Sequence, residues 1–240
     1  SEHSAIFQCI ENCPSRDISR IVITASGGSL RGMEDDEMRS ATVEEVLAHP
    51  TWEMGKKVTV DSASLMNKAL ELIEARWLFN MDSEMLDAVI HPQSIVHGFV
   101  EFTDGSVVAQ MAKPDMRLPI QYAMTWPDRT IACGHSINWN ELGNLEFEPI
   151  DRDRYPAIPL AHHIIRVGGT AGAVLNAANE VVVEAFLEQR LPFGSMIAIV
   201  KSVIDKSKIV NLSDYTVLEA ADSDARSLAR DLVAEASVSL

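Results

Sequence analysis

The chain has 240 residues, 47% of them hydrophobic, and a formal net charge of -15. That is enough apolar material for one large or two modest domains with a real core. The negative balance argues against nucleic acid or an anionic membrane as partner, because like charge repels over most of the surface. No apolar run is long enough to span a bilayer and no basic-then-apolar leader opens the chain, so a soluble, cytoplasmic-type protein is expected, and any anionic small ligand must find a local basic pocket.

The first residues, SEHSAIFQCI, place Ala5, Ile6, Cys9 and Ile10 at helical spacing behind a polar start. Ser1 can cap that helix, and Glu2 suits the positive end of its dipole. A start without methionine, already polar at Glu2 and His3, reads as a piece of something longer. Cys9, Cys13 and Cys133 cannot all pair, and Cys9 and Cys13 lack the companions of a zinc site, so all three are expected reduced and structural.

Arg20 to Thr24 is a short β-rich run that ends in a Ser26-Gly27-Gly28-Ser29 loop followed by Arg31. Glycines let backbone amides approach a phosphate closely, although such a loop fits neither the Rossmann nor the Walker pattern and is also an ordinary turn. An acidic stretch over 33–45 leads into a helix predicted for 42–48. His49, Pro50, Thr51, Trp52, Glu53, Met54 and Gly55 then form a connection with the composition of a mobile flap, Trp52 as a flat cover and Gly55 as a hinge.

The stretch Lys56 to Trp77 reads as a β-branched strand (Val58, Thr59, Val60), a polar break at Asp61 and Ser62, and a helix capped by Ser64. Leu65, Met66, Ala69, Leu70, Ile73 and Trp77 are its predicted inward face. Asn67, Lys68 and Glu71 emerge together on the other face near the helix N-terminus. Free amides, a hydroxyl and a lysine there suit a phosphate. A carboxylate one turn deeper makes sense as a ligand to a divalent cation that also touches the substrate. On these residues alone, a solvated face with a Lys68–Glu71 ion pair is the plainer reading.

Beyond it, strands are expected at 88–90, 96–101 and 106–111, the last two joined by a Thr103-Asp104-Gly105 turn, so that an antiparallel meander follows the helix. His97 reads as a sheet residue. A helix is predicted over 118–124, an irregular region from Asp128 to Asp153, and then helices over 159–166, from Gly168-Gly169-Thr170 through Leu187, over 196–205 with Ser195 as cap, and from Ser223 or Asp224 to Ala236. Asn176, Asn179 and Glu180 are the polar cluster of this helical bundle and are read as packing or interface residues. The fold class expected is α/β (α+β): a mixed, largely antiparallel sheet with helices on one face, followed by a helical bundle.

Taken together, SEHSAIFQ, ITASGGSLR, HPTWEMGKKVTVDSASLMNKALELIEARWLF, IHPQSIVH, PDMRLPI and LNAANE resemble the 1-deoxy-D-xylulose 5-phosphate reductoisomerase family, along almost the whole chain. The resemblance implies a catalytic α/β domain at 1–145, a linker at 146–155 and a C-terminal helical domain at 156–240, without the family's N-terminal NADPH-binding Rossmann domain. It implies Mg2+ or Mn2+ on Glu2 and Glu71, with a third ligand immediately before the counterpart of Ser1, where this sequence does not reach. It implies a sugar-phosphate substrate held by Ser26, Ser62, Asn67 and Lys68, with His49 closing over the phosphate, Trp52 covering the carbon chain, and Ser1, Glu2 and Glu71 touching hydroxyls. Met54, Gly55 and Met116 correspond to where the nicotinamide end of NADPH lies. Glu2, Glu71, His49 and Trp52 are thus the expected catalytic residues of a homodimeric enzyme of isoprenoid synthesis, and this piece alone is expected to be inactive.

Two rival readings stand beside it. One is a non-catalytic metabolite-binding or assembly module on the same scaffold. The other is a thiol-dependent aldehyde dehydrogenase domain using Cys133, whose neighbourhood, with His135 two residues on, lacks the features that activate a thiolate.

Overall fold

The structure is a computed structural model that describes residues 1–11 and 13–237. In chain order its regular elements are α1 (Glu2–Ile10), β1 (Ile18–Ala25), α2 (Asp35–Arg39), α3 (Val43–Leu47), α4 (Lys56–Ala63), α5 (Met66–Phe79), β2 (Leu86–Ile90), β3 (Val96–Phe102), β4 (Val107–Met111), α6 (Arg117–Thr125), α7 (Ala157–Val167), α8 (Ala171–Leu187), α9 (Met196–Lys206) and α10 (Tyr215–Ser237). The chain divides into two compact units, Ser1–Gly27 with Ala75–Ile150, and Gly28–Glu74 with Asp151–Leu240. No helix among the described residues is long and apolar enough to cross a membrane.

The first unit is built on a mixed four-stranded sheet in the order β2-β1-β3-β4. β1 runs parallel to β2 and antiparallel to β3, and β3 is antiparallel to β4. Residues 21–25 of the central strand β1 are buried on both sides, which is why they read as an unbroken apolar run rather than an alternation. α1 packs on β3 and β4 through Ala5 and Ile6. Their approach is close enough that a Cβ on Gly98 would stand 2.8 Å from Ile6 Cδ1. The β3–β4 turn is the predicted one: Gly105 has φ +85°, and Asp104 Oδ1 accepts the Ser106 amide at 2.9 Å.

The second unit is helical. α8 is its centre, with Val174, Leu175, Ala178 and Val182 buried, and it packs against α7, α9, α10 and α4. Arg154 ties the loop before α2 to the start of α7's segment, donating to the Leu30 and Met33 carbonyls and pairing with Asp35 at 2.6 Å.

Four sequence expectations are corrected. The run Val58-Thr59-Val60 is not a strand but the middle of α4, where β propensity loses to helical pairings: Lys57 to Asp61 across one turn at 2.7 Å, and Thr59 Oγ1 donating to the Gly55 carbonyl at 3.1 Å. Within α5 the inward set is Met66, Ala69, Leu72 and Ala75, while Trp77 is 70% exposed. Within the acidic stretch α2 forms as a short helix, with a reciprocal cap between Glu34 and Glu37. α10 begins at Tyr215, well before Ser223, and Asp214 Oδ1 accepts the Val217 amide at its start.

Candidate active site

The geometry begins at the junction of α4 and α5. α4 ends at Ser64, and Leu65 turns the chain with φ +55°, a left-handed conformation a branched, buried leucine adopts only when the surroundings force it. Ser64 ends α4 rather than capping α5, whose N-cap position falls on Leu65; its Oγ still accepts the Met66 amide at 3.3 Å, and a second helix rather than a strand precedes it. The turn starts α5 abruptly and places Asn67 and Lys68 in its first turn.

There the expected polar trio assembles. Asn67 Nδ2 donates to Glu71 Oε1 at 2.6 Å, and the Lys68 ammonium donates to Glu71 Oε2. Lys68 is only 3% exposed, so the face is not solvated as its charge suggested. A buried ammonium needs a counter-charge, and Glu71 supplies it while remaining partly accessible itself.

The loop after β1 meets this junction from the other side. Gly28 has φ +70°, and a Cβ there would stand 2.6 Å from both the Ala63 Cα and the Ser62 carbonyl oxygen. Only glycine allows that approach, which fixes the loop against the last turn of α4 and beside Ser62. Ser26, two residues upstream, is half-buried just beyond the end of β1.

His49, Trp52, Met54 and Gly55 lie in the connection before α4. His49 Nδ1 accepts the Thr51 and Trp52 amides at 3.1 and 3.0 Å, which closes the turn and leaves the proton of the neutral ring on Nε2. Burial lowers the His49 pKa, in keeping with a neutral ring. Trp52 and Met54 are half-buried, and Gly55, the N-cap of α4, is exposed with nothing within 4 Å of where a Cβ would stand.

In the first unit, Ser1 precedes α1 without capping it. Its hydroxyl instead donates to Glu2 Oε2 at 2.9 Å and stands 3.1 Å from His97 Nδ1, so the cap expectation is corrected. His97 Nε2 lies 3.3 Å from the Ala112 carbonyl, which makes this buried sheet histidine the orienting partner of Ser1. Met116 is exposed at the start of α6, between Asp115 and Arg117, whose side chains pair at 3.0 Å. That pairing holds the Asp115 carboxyl down at about 2. Glu2 belongs to one unit and Glu71 to the other, and among the described residues no three His, Cys, Asp or Glu side chains gather into a metal site.

Two further contributors carry no signal in the sequence. In the sequence Gly28 belongs to a loop open to a phosphate or to an ordinary turn, and its approach to Ser62 is invisible without the tertiary contact. Asp61 was read as a strand breaker, yet it is buried, and Asn179 Nδ2 donates to its Oδ1 at 2.9 Å. Burial raises the Asp61 pKa, opposed by Lys57 and Asn179. One end of the LNAANE cluster therefore reaches α4 through Asn179.

Two family models together match most of the chain: the DXP reductoisomerase C-terminal domain over residues 111–228, and the 1-deoxy-D-xylulose 5-phosphate reductoisomerase C-terminal domain over residues 1–79. A relative from Thermodesulfovibrio yellowstonii, named 1-deoxy-D-xylulose 5-phosphate reductoisomerase, is 47% identical over 98% of this chain and 62% of its own length. One from Thermomicrobium roseum with the same name is 48% identical over 98% and 62%. The solved enzyme from Zymomonas mobilis in complex with NADPH superposes with a TM-score of 0.91 at 41% identity, covering 97% of this chain and 60% of that one. Another, DOX-P reductoisomerase in complex with NADPH, fosmidomycin and magnesium, gives a TM-score of 0.92 at 36% identity over 97% and 62%. The mixed sheet and the helical unit of this chain are what superpose on these solved reductoisomerases, over about three-fifths of their length. The chain belongs to the 1-deoxy-D-xylulose 5-phosphate reductoisomerase family, and it spans about three-fifths of the length of the curated relatives it matches.

Proposed function

We propose that this chain supplies the substrate- and metal-binding part of an NADPH-dependent enzyme of the cytoplasm that converts 1-deoxy-D-xylulose 5-phosphate to 2-C-methyl-D-erythritol 4-phosphate. Residues 1–145 carry the catalytic groups, 146–155 link, and 156–240 support them. The observation that carries the reading is Lys68: a lysine 3% exposed, in the first turn of a helix, with its ammonium on Glu71. Glu71 balances this ammonium within the chain, and at the positive end of a helix dipole the spot beside the pair suits an anionic substrate group.

In this reading Lys68, Asn67, Ser62 and Ser26 hold the phosphate, and His49 donates to it from Nε2, the nitrogen that its own turn leaves protonated. Trp52 covers the carbon chain and, with the flap, excludes water from a reactive aldehyde. Ser1, held between Glu2 and His97, donates to a substrate hydroxyl. The oxygen donors Glu2 and Glu71 suit a hard divalent cation in chemistry, and they would hold Mg2+ or Mn2+. Such an ion, when bound, acidifies a chelated hydroxyl and stabilises developing oxyanion charge. The open backbone at Gly55, with Met54 and Met116, would receive the nicotinamide, and NADPH, when bound, supplies the hydride that reduces the aldehyde. For the homodimer, the support is β4: it is an edge of the sheet, with Val107 and Val108 exposed by 55% and 43%.

The test is NADPH oxidation with the pentulose phosphate by the natural full-length polypeptide that contains this chain. Turnover that collapses in Glu71→Gln and in Lys68→Met supports the reading. Turnover unaffected by both, or substrate binding without any turnover in the unaltered protein, overturns it, the latter in favour of a binding module.

A further inference from the structure

The LNAANE motif has no role in the chemistry above, yet it holds a contact that packing alone does not account for. Asn179, on α8, is fully buried, and its Nδ2 donates to Asp61 Oδ1 on α4 at 2.9 Å. Asp61 is equally buried and pairs through its other oxygen with Lys57 at 2.7 Å. The Asn179 carbonyl oxygen has no hydrogen-bond partner among the described residues. A buried carboxylate and a half-satisfied buried amide are a costly way to join two helices, and an apolar pair of the same volume would join them at least as tightly. What the polar pair provides is direction: one donor meets one acceptor in one register.

That register sits next to the site. Asp61 immediately precedes Ser62, and the Ser62 carbonyl with the Ala63 Cα forms the surface against which Gly28 lies. We propose that Asn179 and Asp61 are positioning residues for the phosphate grip: the amide on α8 fixes the last turn of α4 and, through it, Ser62 and the Gly28 loop relative to the front of α5. The proposal rests on the reading of Ser62 and Lys68 as phosphate ligands. It makes the helical bundle a rigid mount for substrate binding as well as a fold-completing element.

The experiment titrates inorganic phosphate into the full-length enzyme by calorimetry and measures KM and kcat, for Asn179→Asp, Asp61→Asn, the double exchange Asp61→Asn with Asn179→Asp, and Lys68→Met. Asn179→Asp sets two carboxylates face to face, and the phosphate Kd and the substrate KM are expected to rise about tenfold with kcat little changed, the loss of one hydrogen bond to a charged group. The double exchange rebuilds an amide–carboxylate pair with the roles reversed and is expected to recover most of that loss, which a merely destabilised helix would not do. Should Asn179→Asp not fold, Asn179→Ser takes its place, with faster hydrogen exchange expected at the Ser62 and Ala63 amides.

Folded Asn179 variants that bind phosphate as the unaltered enzyme does, while Lys68→Met loses it, overturn the positioning role and leave the phosphate site standing. A double exchange no better than the single changes overturns it as well. If Lys68→Met keeps full phosphate affinity, the phosphate assignment itself fails and this inference falls with it.

Discussion

The Lys68 ammonium lies against the Glu71 carboxylate one helical turn away, with the lysine side chain 4% and the glutamate 14% exposed. The two charges are unequally placed: Glu71 also accepts from Asn67 and stays partly accessible, whereas the Lys68 ammonium is almost wholly buried. Glu71→Gln, which takes a counter-charge from the more deeply buried member, is therefore expected to cost more stability than Lys68→Met, up to the roughly 3–5 kcal/mol typical of breaking a buried ion pair. Thermal unfolding of the two variants checks the order. In turnover both are expected to fall by about a hundredfold or more, the scale of losing a preorganised electrostatic partner.

Gly28 gives a prediction that separates backbone from side chain. Gly28→Ala adds one methyl group, yet it must stand 2.6 Å from the Ala63 Cα and the Ser62 oxygen at φ +70°. The left-handed backbone alone costs about 1–2 kcal/mol for a residue with a Cβ, and the clash falls on backbone that cannot rotate away. The variant is expected to unfold at a clearly lower temperature and to bind substrate weakly. Gly32→Ala, where nothing lies within 4 Å, is the control and should unfold as the unaltered protein does.

What the sequence made legible were the features that local chemistry decides. The helix over 42–48 is nearly what forms, because Thr42 accepts the Glu45 amide while the Glu45 carboxylate returns to the Thr42 amide, a reciprocal cap written in four residues. The Asp104-Gly105 turn was equally local. Illegible were the features that another segment decides. Val58, Thr59 and Val60 have strand-forming side chains, and only packing on α8 and the pairings across α4 make them helical. The site trio was found from spacing, but the burial of Lys68 was not, since nothing within α5 says that a charge on its surface will be covered. α10 was entered late because its first turns bury nothing, while the signal that starts it, Asp214 on the Val217 amide, lay in the sequence.

The thiols answer the rival reading that uses Cys133. All three cysteines are free; Cys9 is buried, whereas Cys13 and Cys133 are exposed, so only the first is structural in the sense expected. Burial pushes the Cys9 thiol up to about 11, which removes its thiolate at neutral pH. A maleimide should label Cys13 and Cys133 in the native protein and Cys9 only on unfolding, counted by mass spectrometry. Cys133→Ser is expected to leave NADPH turnover unchanged; a lost activity would favour the thiol mechanism.

His49 sets a pH dependence whose direction follows from which form folding selects. Its Nδ1 accepts two backbone amides, so only the neutral ring closes the turn, and burial lowers its pKa below the ordinary imidazole value. A base whose pKa is lower folded than unfolded binds fewer protons when folded. The turn's stability is then complete above the ordinary value of about 6.5 and is lost as pH falls from there through the lowered one. Protection of the Thr51 and Trp52 amides from hydrogen exchange, after correction for the intrinsic rate, is expected to hold at neutral pH and to decay below it. Replacing His49 by asparagine, whose side-chain oxygen accepts but does not titrate, should flatten that profile; a decay that survives the substitution would assign the pH sensitivity to another group.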